Sequence, residues 1–242
     1  MIELNKIYNE DCLEGMKQIP DKSVDMILCD LPYGTTRNKW DSIIPLEPLW
    51  EQYERLIKDN GAIVLTAQTP FDKVLGVSNL KLLKYEWIWQ KSKPTGHLNA
   101  KKMPMKEHEN VLVFYKKLPT YNCFDLVKVD RMVSRTNKGN YGESSKTTKQ
   151  EFSGYPRSIL SFNSVLTSEQ IHTTQKPVAL FEYLIGTYTN DNETVLDNCM
   201  GSGTTAIACI NTNRNFIGFE LDENYHTVAN ERITKHLLER GD

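Results

Sequence analysis

Short apolar runs alternate with stretches of helical spacing along both ends of the chain. The apolar runs are bounded by polar or turn residues, which is typical of strands in a βαβ arrangement. Apolar residues at helical spacing predict helices at 13–18 and 46–58, and Asn60-Gly61 is predicted to end the second helix. The strands predicted in this first half are 6–8, 24–29, 62–66, 85–90 and 110–115.

From residue 116 to about 167 the chain is polar, with isolated aromatic residues and little periodicity, so irregular structure is predicted there. The alternating pattern then resumes. It predicts helices at 177–188, 204–211 and 223–238 and strands at 194–197 and 215–220. The whole pattern predicts an α/β fold with one doubly wound, mostly parallel sheet. We expect a single domain, 1–242, with a core of 1–115 and 166–242 and an insert at 116–165.

Composition excludes several classes of protein. The 242 residues are 39% hydrophobic and 25% charged, which argues against a disordered or fibrous chain. Apolar runs stay far below the ~20 residues of a membrane-spanning helix, and the first residues do not resemble an export signal. We therefore expect a cytoplasmic protein without a membrane segment. The five cysteines include no Cys-x-x-Cys pair and the five histidines are scattered, so neither disulfides nor a metal site is predicted.

The charges are distributed unevenly along the chain. The net charge is only -2, but residues 91–165 contain 14 Lys and Arg against 6 Asp and Glu. That segment therefore carries +8, and the remainder of the chain carries -10. A basic middle between acidic flanks is where contacts with a polyanion are expected.

A turn containing glycines follows the predicted strand 194–197. Gly201-Ser202-Gly203 lies between that strand and a helix, where glycine lets a ligand approach the backbone and the helix offers free N–H groups. The next strand ends at Glu220, whose carboxylate can accept hydrogen bonds from two ribose hydroxyls. We expect an adenosine-containing cofactor smaller than NAD, because too little chain follows for a second nucleotide half. A purely structural turn is the alternative, since such glycine patterns are common.

A second candidate site follows the predicted strand 24–29. Asp30-Leu31-Pro32-Tyr33 places a carboxylate, a rigid turn and an aromatic ring at the carboxyl end of a strand, where open α/β sheets bind ligands. An ordinary β-turn with a packed tyrosine is the alternative. Cys29 and Cys199 suggest a nucleophile, but a cysteine in an apolar strand is usually part of the core, so we reject that mechanism.

Together these motifs resemble those of the S-adenosylmethionine-dependent DNA amino-methyltransferases, the N6-adenine and N4-cytosine family. Residues 30–33 are similar to its Asp/Asn/Ser-Pro-Pro-Tyr motif, and residues 197–204 are similar to its Asp-Pro-Phe-x-Gly-Ser-Gly-Thr loop. The catalytic motif precedes the cofactor loop, as in the permuted beta group of the family. This chain has Leu31 in place of a proline and Asn198-Cys199 in place of Pro-Phe. Further similar stretches are 9–13, 87–91, 108–114 and 172–177.

The resemblance implies the Rossmann-like class I methyltransferase fold and a direct, in-line methyl transfer from S-adenosylmethionine. The acceptor would be an amino group of a base flipped out of double-stranded DNA. Asp30 and the carbonyl of Leu31 would accept hydrogen bonds from that amino group. Pro32 would hold the turn, and Tyr33 would stack on the base.

The resemblance also implies how the cofactor is bound. Asp11 would contact its adenine, Glu220 its ribose and Lys176 its methionine carboxylate, while the glycine loop would hold the methionine portion. The full implied set is Asp11, Cys12, Asp30, Lys176, Asp197, Asn198, Met200, Gly201, Ser202, Gly203, Thr204, Glu220 and Leu221.

The aspartate that begins the catalytic motif favours adenine N6 as the target. Cytosine N4 is the alternative, for which serine is the commoner first residue. An NAD-binding oxidoreductase and a catalytically silent DNA-binding module are alternatives from other classes. The resemblance also implies a homodimer, and it leaves a cognate restriction endonuclease open as a further partner.

The insert at 116–165 is predicted to recognise the DNA target. Cations are interleaved there with aromatic side chains, and cations neutralise phosphates while aromatic and arginine side chains can reach bases. A solvated loop whose lysines keep the protein soluble is the alternative. The candidate DNA-binding residues are Lys128, Arg131, Arg135, Lys138, Lys146, Lys149 and Arg157.

Overall fold

The computed structural model describes residues 2–34, 41–137, 144–165 and 175–241. The chain divides into two compact units, Met1–Tyr121 with Ser158–Asp242, and Asn122–Arg157. The helices are α1 (Cys12–Met16), α2 (Leu46–Leu56), α3 (Phe71–Ser78), α4 (Val178–Tyr188), α5 (Thr204–Asn211) and α6 (Glu223–Arg240). The strands are β1 (Lys6–Tyr8), β2 (Val24–Asp30), β3 (Ile57–Ala67), β4 (Leu83–Thr95), β5 (Lys106–Phe114), β6 (Val127–Asn137), β7 (Ser144–Ser153), β8 (Ile159–Phe162), β9 (Thr194–Asp197) and β10 (Asn215–Phe219).

The larger unit is built on a sheet whose strand order is β1-β10-β9-β2-β3-β5-β4-β8. Its strands pair in parallel except for β5, which is antiparallel to both β3 and β4. From β2 the sheet extends through β3 on one side and through β9 and β10 on the other, so the strand order reverses between β2 and β9. Sheets of this kind bind ligands at such a point, outside the carboxyl ends of the strands. The doubly wound, mostly parallel α/β fold predicted from the sequence is confirmed.

Alternate residues of the central strand β2 enter apolar layers on opposite faces of the sheet. Met26 and Leu28 pack in the layer that contains α4 and α5. Ile27 and Cys29 pack in the layer that contains α1, α2 and α3. Because both faces are covered, β2 is buried along its length until its last residue, Asp30, which is partly exposed. The two layers therefore fix the position of that carboxylate at the edge of the sheet.

In the carboxyl-terminal third of the chain, predicted and observed elements differ by two residues or fewer. The prediction that Asn60-Gly61 ends α2 is wrong, because α2 ends at Leu56 and both residues lie within β3. A Cβ atom on Gly61 would lie 2.6 Å from the carbonyl oxygen of Asp25, so this glycine serves a close approach between β3 and β2. The helix α3 lies where no element is predicted.

Irregular structure throughout 116–167 is also a wrong prediction, because β6, β7 and β8 lie there. In the smaller unit β6 and β7 form an antiparallel hairpin that pairs from Val127 with Ser153 to Asn137 with Ser144. Most of its described side chains are exposed, so its strands lack the apolar alternation that marks a half-buried strand. Exposed candidates for DNA binding are Lys128, Arg131, Lys149 and Arg157. Lys138 and the side chains of Arg135 and Lys146 lie outside the described part of the chain.

Within the larger unit, the residues on either side of 122–157 contact consecutive residues of β4. Before the smaller unit, the ring of Tyr121 stacks with Trp87 at a centroid distance of 6.5 Å. After it, the carbonyl of Ser158 accepts a hydrogen bond of 2.7 Å from the backbone N–H of Ile88. The strand β8 then continues in parallel beside β4. Across the residues that the structure describes, no helix has the length and apolar character needed to cross a membrane.

Candidate active site

The loops that follow the carboxyl ends of β1, β2, β9 and β10 line a cavity of about 530 Å³. Parallel strands bring these ends to one edge of the sheet, so segments far apart in the sequence meet there. Every residue implied for catalysis or cofactor binding lies on this cavity except Gly203. Those residues are Asp11, Cys12, Asp30, Leu31, Pro32, Tyr33, Lys176, Asp197, Asn198, Met200, Gly201, Ser202, Thr204, Glu220 and Leu221.

Asp30, the last residue of β2, accepts hydrogen bonds on both carboxylate oxygens. Its Oδ1 accepts from the hydroxyls of Tyr33, at 2.6 Å, and of Thr66. Its Oδ2 accepts from Nζ of Lys176 at 2.5 Å. The ring of Tyr33 stacks on Phe71 at 5.4 Å, and burial raises the pKa of Tyr33 well above its ordinary value, so its hydroxyl remains a donor. Donors from three segments of the chain thus fix the orientation of this carboxylate.

Lys176 is buried between two acidic side chains. Its Nζ lies 2.5 Å from Oδ2 of Asp30 and 3.3 Å from Oε2 of Glu109. Burial by itself would lower the pKa of Lys176, but the two carboxylates outweigh burial and raise it, so the side chain is an ammonium. Its implied contact with the methionine carboxylate stays a prediction. Residues 172–174, which belong to the same family-like segment, lie outside the described residues.

The glycine loop between β9 and α5 leaves open space beside its backbone. Gly201 has a φ of 54°, in the left-handed region that glycine adopts without steric cost. The nearest atom to a Cβ placed on Gly201 would be the carbonyl oxygen of Cys199, at 4.0 Å. A ligand can therefore lie against this backbone. Gly203 is the N-cap of α5 instead, and its missing side chain faces Ala229 of α6.

Glu220, which follows β10, is anchored by backbone N–H groups. Its Oε2 accepts from the N–H of Gly201 at 2.7 Å, and its Oε1 accepts from the N–H of Asp222 at 2.9 Å. Burial raises the pKa of Glu220, and these two hydrogen bonds oppose that rise. Each carboxylate oxygen has a further lone pair, so both can still accept hydrogen bonds from ribose hydroxyls.

The departure from Pro-Phe at residues 198–199 has a structural role. The buried side chain of Asn198 accepts a hydrogen bond from the hydroxyl of Tyr53 in α2, at 2.6 Å. Its amide nitrogen lies 3.6 Å from Sγ of Cys12 and 3.5 Å from Sγ of Cys199. The amide therefore connects the cofactor loop to α1 and α2 through hydrogen bonds rather than through the rigidity of proline.

Cys29 and Cys199 do not have the setting of a nucleophile. Burial raises the pKa of Cys29 to about 12, so its thiol stays neutral in the core. The pKa of Cys199 is also raised, by hydrogen bonds with Cys12 and Cys29 and by burial. Among the described residues, no group of three or more His, Cys, Asp or Glu is arranged to hold a metal ion.

Two aspartates at the cavity cap helices. Oδ1 of Asp11 accepts from the backbone N–H of Leu13, at 2.8 Å, which starts α1. Asp222 caps α6 in the same manner and also lines the cavity, although no role is predicted for it from the sequence. A helix-start signal two residues after Glu220 could have revealed it. Gln68, directly after β3, is another cavity residue that the position of a strand end could have indicated.

S-adenosylmethionine fits these groups. The anchored carboxylate of Glu220 suits a ribose, and the open backbone at Gly201 suits close contact with the rest of the ligand. Together the sheet and this cavity define a class I S-adenosylmethionine-dependent methyltransferase.

Comparison with known proteins narrows this class. Residues 24–231 match the family model described as DNA methylase, so the chain belongs to this family, the DNA amino-methyltransferases that act on adenine N6 or cytosine N4. Its methyl donor is S-adenosylmethionine. The NAD-dependent oxidoreductase considered from the sequence is thereby set aside.

Relatives of similar length cover nearly the whole chain. The Type II methyltransferase M1.MboII of Moraxella bovis is 30% identical over 256 residues, which is 95% of this chain and 96% of that protein. The DNA adenine methyltransferase YhdJ of Escherichia coli (strain K12) is 26% identical over 96% of this chain and 83% of its own length.

Solved structures share the fold. The complex of M1.HpyAVI with SAM is 26% identical, with a TM-score of 0.66 over 94% of this chain and 98% of that chain. The cytosine-N4-specific PvuII DNA methyltransferase has a TM-score of 0.71 over 100% of this chain and 95% of that one, at 14% identity. The likeness to PvuII extends to the fold alone.

Proposed function

We propose that this chain methylates the N6 amino group of adenine in double-stranded DNA, by direct transfer to a base flipped out of the duplex. The observation that carries the proposal is the setting of Asp30. Its Oδ1 accepts from two hydroxyls, whereas Oδ2 accepts from one ammonium. A carboxylate oxygen has room for a further donor, so Oδ2 can accept a hydrogen bond from a substrate amino group in the cavity.

The chemistry requires such acceptors. The lone pair of an adenine amino group is delocalised into the ring, which makes the nitrogen a poor nucleophile. Two acceptors on its N–H bonds, Asp30 and the backbone carbonyl of Leu31, would move the nitrogen toward tetrahedral geometry. Pro32 would hold that carbonyl in place. When bound, S-adenosylmethionine supplies an electrophilic methyl group on a sulfonium.

Most of the rate enhancement is assigned to positioning. Well-oriented reactants can gain about 7–11 kcal/mol from pre-organised geometry. Flipping the base costs a few kcal/mol, which stacking against Tyr33 would help to offset. This scheme requires no covalent intermediate on the enzyme, because the methyl group of a sulfonium is already activated. The nitrogen would form its bond to the methyl carbon as the carbon–sulfur bond breaks, the sulfur would leave as a neutral thioether, and the methylated nitrogen would release one proton.

Adenine is favoured over cytosine by two observations. The motif begins with Asp30, and a relative that covers 96% of this chain, YhdJ, is named a DNA adenine methyltransferase. Nucleoside mass spectrometry on DNA from an expressing strain without its own amino methylation separates the two targets. N6-methyladenine is the expected product, and N4-methylcytosine in its place would overturn the choice.

We assign target recognition to the insert 116–165, on its charge and on the exposure of Lys128, Arg131, Lys149 and Arg157. The name Type II methyltransferase for M1.MboII supports a place in a restriction-modification pair, with a cognate endonuclease as partner. The homodimer remains a prediction from family resemblance.

The variant Asp30→Ala tests the acceptor role. We expect methyl transfer to fall by about 10²–10³-fold or more, as when one aligned hydrogen-bond group is removed from other active sites. Affinity for S-adenosylmethionine, measured by calorimetry, should stay close to that of the parent because the ribose and glycine-loop contacts remain. Asp21→Ala, at a side chain that is 73% exposed, is the control. Substantial activity in the Asp30 variant would refute the acceptor role.

A further inference from the structure

A chain of four alternating charges extends from the sheet to the catalytic carboxylate. Nζ of Lys91 lies 2.5 Å from Oε1 of Glu109, and Oε2 of Glu109 lies 3.3 Å from Nζ of Lys176. Lys176 in turn lies 2.5 Å from Asp30. The side chains of Lys91, Glu109 and Lys176 are less than a tenth exposed. We call these four residues the ion-pair chain.

The ion-pair chain is costly to bury. Removing a charged group from water costs several kcal/mol, and a buried pair is often no more stable than apolar residues of the same size. Stability alone therefore gives weak grounds for three buried charges at one edge of the sheet. Glu109 and Lys91 do not line the cavity, whereas Lys176 and Asp30 do. Any effect of Glu109 on substrate must consequently act through Lys176.

We propose that Lys176 is a positioning residue for the Asp30 carboxylate and that Glu109 holds Lys176 in place from outside the cavity. This inference rests on the proposed role of Asp30 as the acceptor of the substrate amino group. The ammonium fixes the plane of the Asp30 carboxylate through its contact with Oδ2. Glu109 lies 3.3 Å from the same ammonium, so its negative charge offsets part of the positive charge that Asp30 faces and leaves Asp30 a stronger acceptor.

Lys176 and Glu109 both stay charged near neutral pH. The two lysines of the ion-pair chain outweigh burial and lower the pKa of Glu109, while the carboxylates raise that of Lys176. Other titratable groups that face Asp30 are Tyr33 from the adjoining turn, Cys29 from β2 and Asp197 from β9. Of these three groups, Asp197 has a pKa of about 6 and loses its proton near that pH, whereas Tyr33 and Cys29 keep their protons.

Two isosteric or near-isosteric variants should shift the pH dependence in opposite directions. Lys176→Met removes the cation that lies beside the Asp30 carboxylate, so the acid limb of the pH–rate profile should move to higher pH. Glu109→Gln removes the anion that shares the Lys176 ammonium with Asp30, so the acid limb moves to lower pH and the acceptor weakens. The single-turnover rate should fall about 10–100-fold in Lys176→Met, as for other misaligned groups, and less in Glu109→Gln.

The rates are measured with labelled S-adenosylmethionine at saturation and DNA from a strain without amino methylation. Cofactor affinity, measured by calorimetry, should change by no more than about threefold in Glu109→Gln, a difference well under 1.4 kcal/mol. Saturation keeps any loss of cofactor affinity in Lys176→Met out of the measured rate. Lys58→Met is the matched control, because Lys58 pairs at 2.6 Å with Asp25 on the same strand as Asp30. It removes an ion pair outside the cavity, so it should leave the pH–rate profile unchanged.

Distinct outcomes separate the two proposals. If Asp30→Ala keeps its activity, the acceptor role fails and this inference fails with it. If Asp30→Ala is inactive while both ion-pair variants retain parental rates and profiles, only this inference is overturned. Weaker cofactor binding by Lys176→Met with a parental rate at saturation would also overturn it, in favour of a contact with the methionine carboxylate. If Lys176→Met does not fold, the pH–rate profile of Glu109→Gln alone tests this inference.

Discussion

At the scale of single residues, Gly201 controls how closely a ligand can approach the loop. In Gly201→Val the branched side chain would point into the open space beside the backbone, so affinity for S-adenosylmethionine should fall at least about tenfold, or 1.4 kcal/mol. Calorimetry measures this loss. Gly96→Val is the matched control, since Gly96 has a φ of 89° and nothing within 4 Å of a Cβ. Gly96→Val also places a branched side chain at a positive φ, but away from the cavity. Equal losses of affinity in both variants would therefore exclude direct blocking of the ligand.

Some residues of the site could be predicted from the sequence and others could not. Asp30 and Glu220 could be predicted, because each is an acidic residue at the carboxyl end of an apolar strand, and such ends meet at one edge of a parallel sheet. Thr66 and Glu109 lie within strands, and nothing local marks them as partners of Asp30 or Lys176. Their roles depend on which strands become neighbours, and only the fold determines that.

At the scale of elements, two predictions were wrong: the end of α2 at Asn60-Gly61 and the irregular structure of 116–167. In both places, tertiary contacts override the local sequence signals. Asn-Gly is a common end to a helix, but the approach of β3 to the backbone of Asp25 also requires a glycine at residue 61. The hairpin of β6 and β7 has exposed faces, so cross-strand pairing rather than apolar burial defines it. By contrast, β9 and α5 were predicted with their observed bounds, because both are buried and apolar.

The exposed cations of the hairpin lead to a prediction about how affinity for DNA depends on salt concentration. If its cations contact phosphates, log affinity for DNA falls linearly with log salt, and each lost contact reduces the slope by about 0.9. The double variant Lys128→Ala/Lys149→Ala should then have a slope smaller by about 1.8, measured by fluorescence anisotropy on a labelled duplex. Lys6→Ala/Lys235→Ala removes two exposed cations outside the hairpin and serves as the control. An unchanged slope in the first variant would count against phosphate contacts by these lysines.

At the scale of the whole molecule, Asp197 links the free energy of unfolding to pH. Burial raises its pKa from 3.8 to about 6, so the folded state binds this proton more tightly than the unfolded state. The resulting stability is fully present below 3.8 and is lost as the pH rises to about 6. The loss amounts to about 3 kcal/mol at most, since one pKa unit corresponds to about 1.4 kcal/mol.

The variant Asp197→Asn tests this linkage because it cannot titrate. Its free energy of unfolding relative to the parent should increase between pH 3.8 and about 6 and then stay constant. Urea unfolding at several pH values across that window provides the measurement. The hydroxyl of Thr205, which donates to Asp197, can rotate to suit an amide. Parallel curves for parent and variant would show that another group causes the pH dependence.

The contacts of Tyr121 and Ser158 with adjacent residues of β4 have an evolutionary consequence. Trp87 and Ile88 hold the chain on either side of residues 122–157, so the ends of that segment are already close together. Changing the length of a segment with fixed ends costs little, about 0.6 kcal/mol for each doubling. Recombination can therefore exchange this segment for a longer or shorter one without rearranging the sheet. On the assignment of target recognition to this segment, a lineage of such enzymes can acquire new DNA sites while inheriting its chemistry intact.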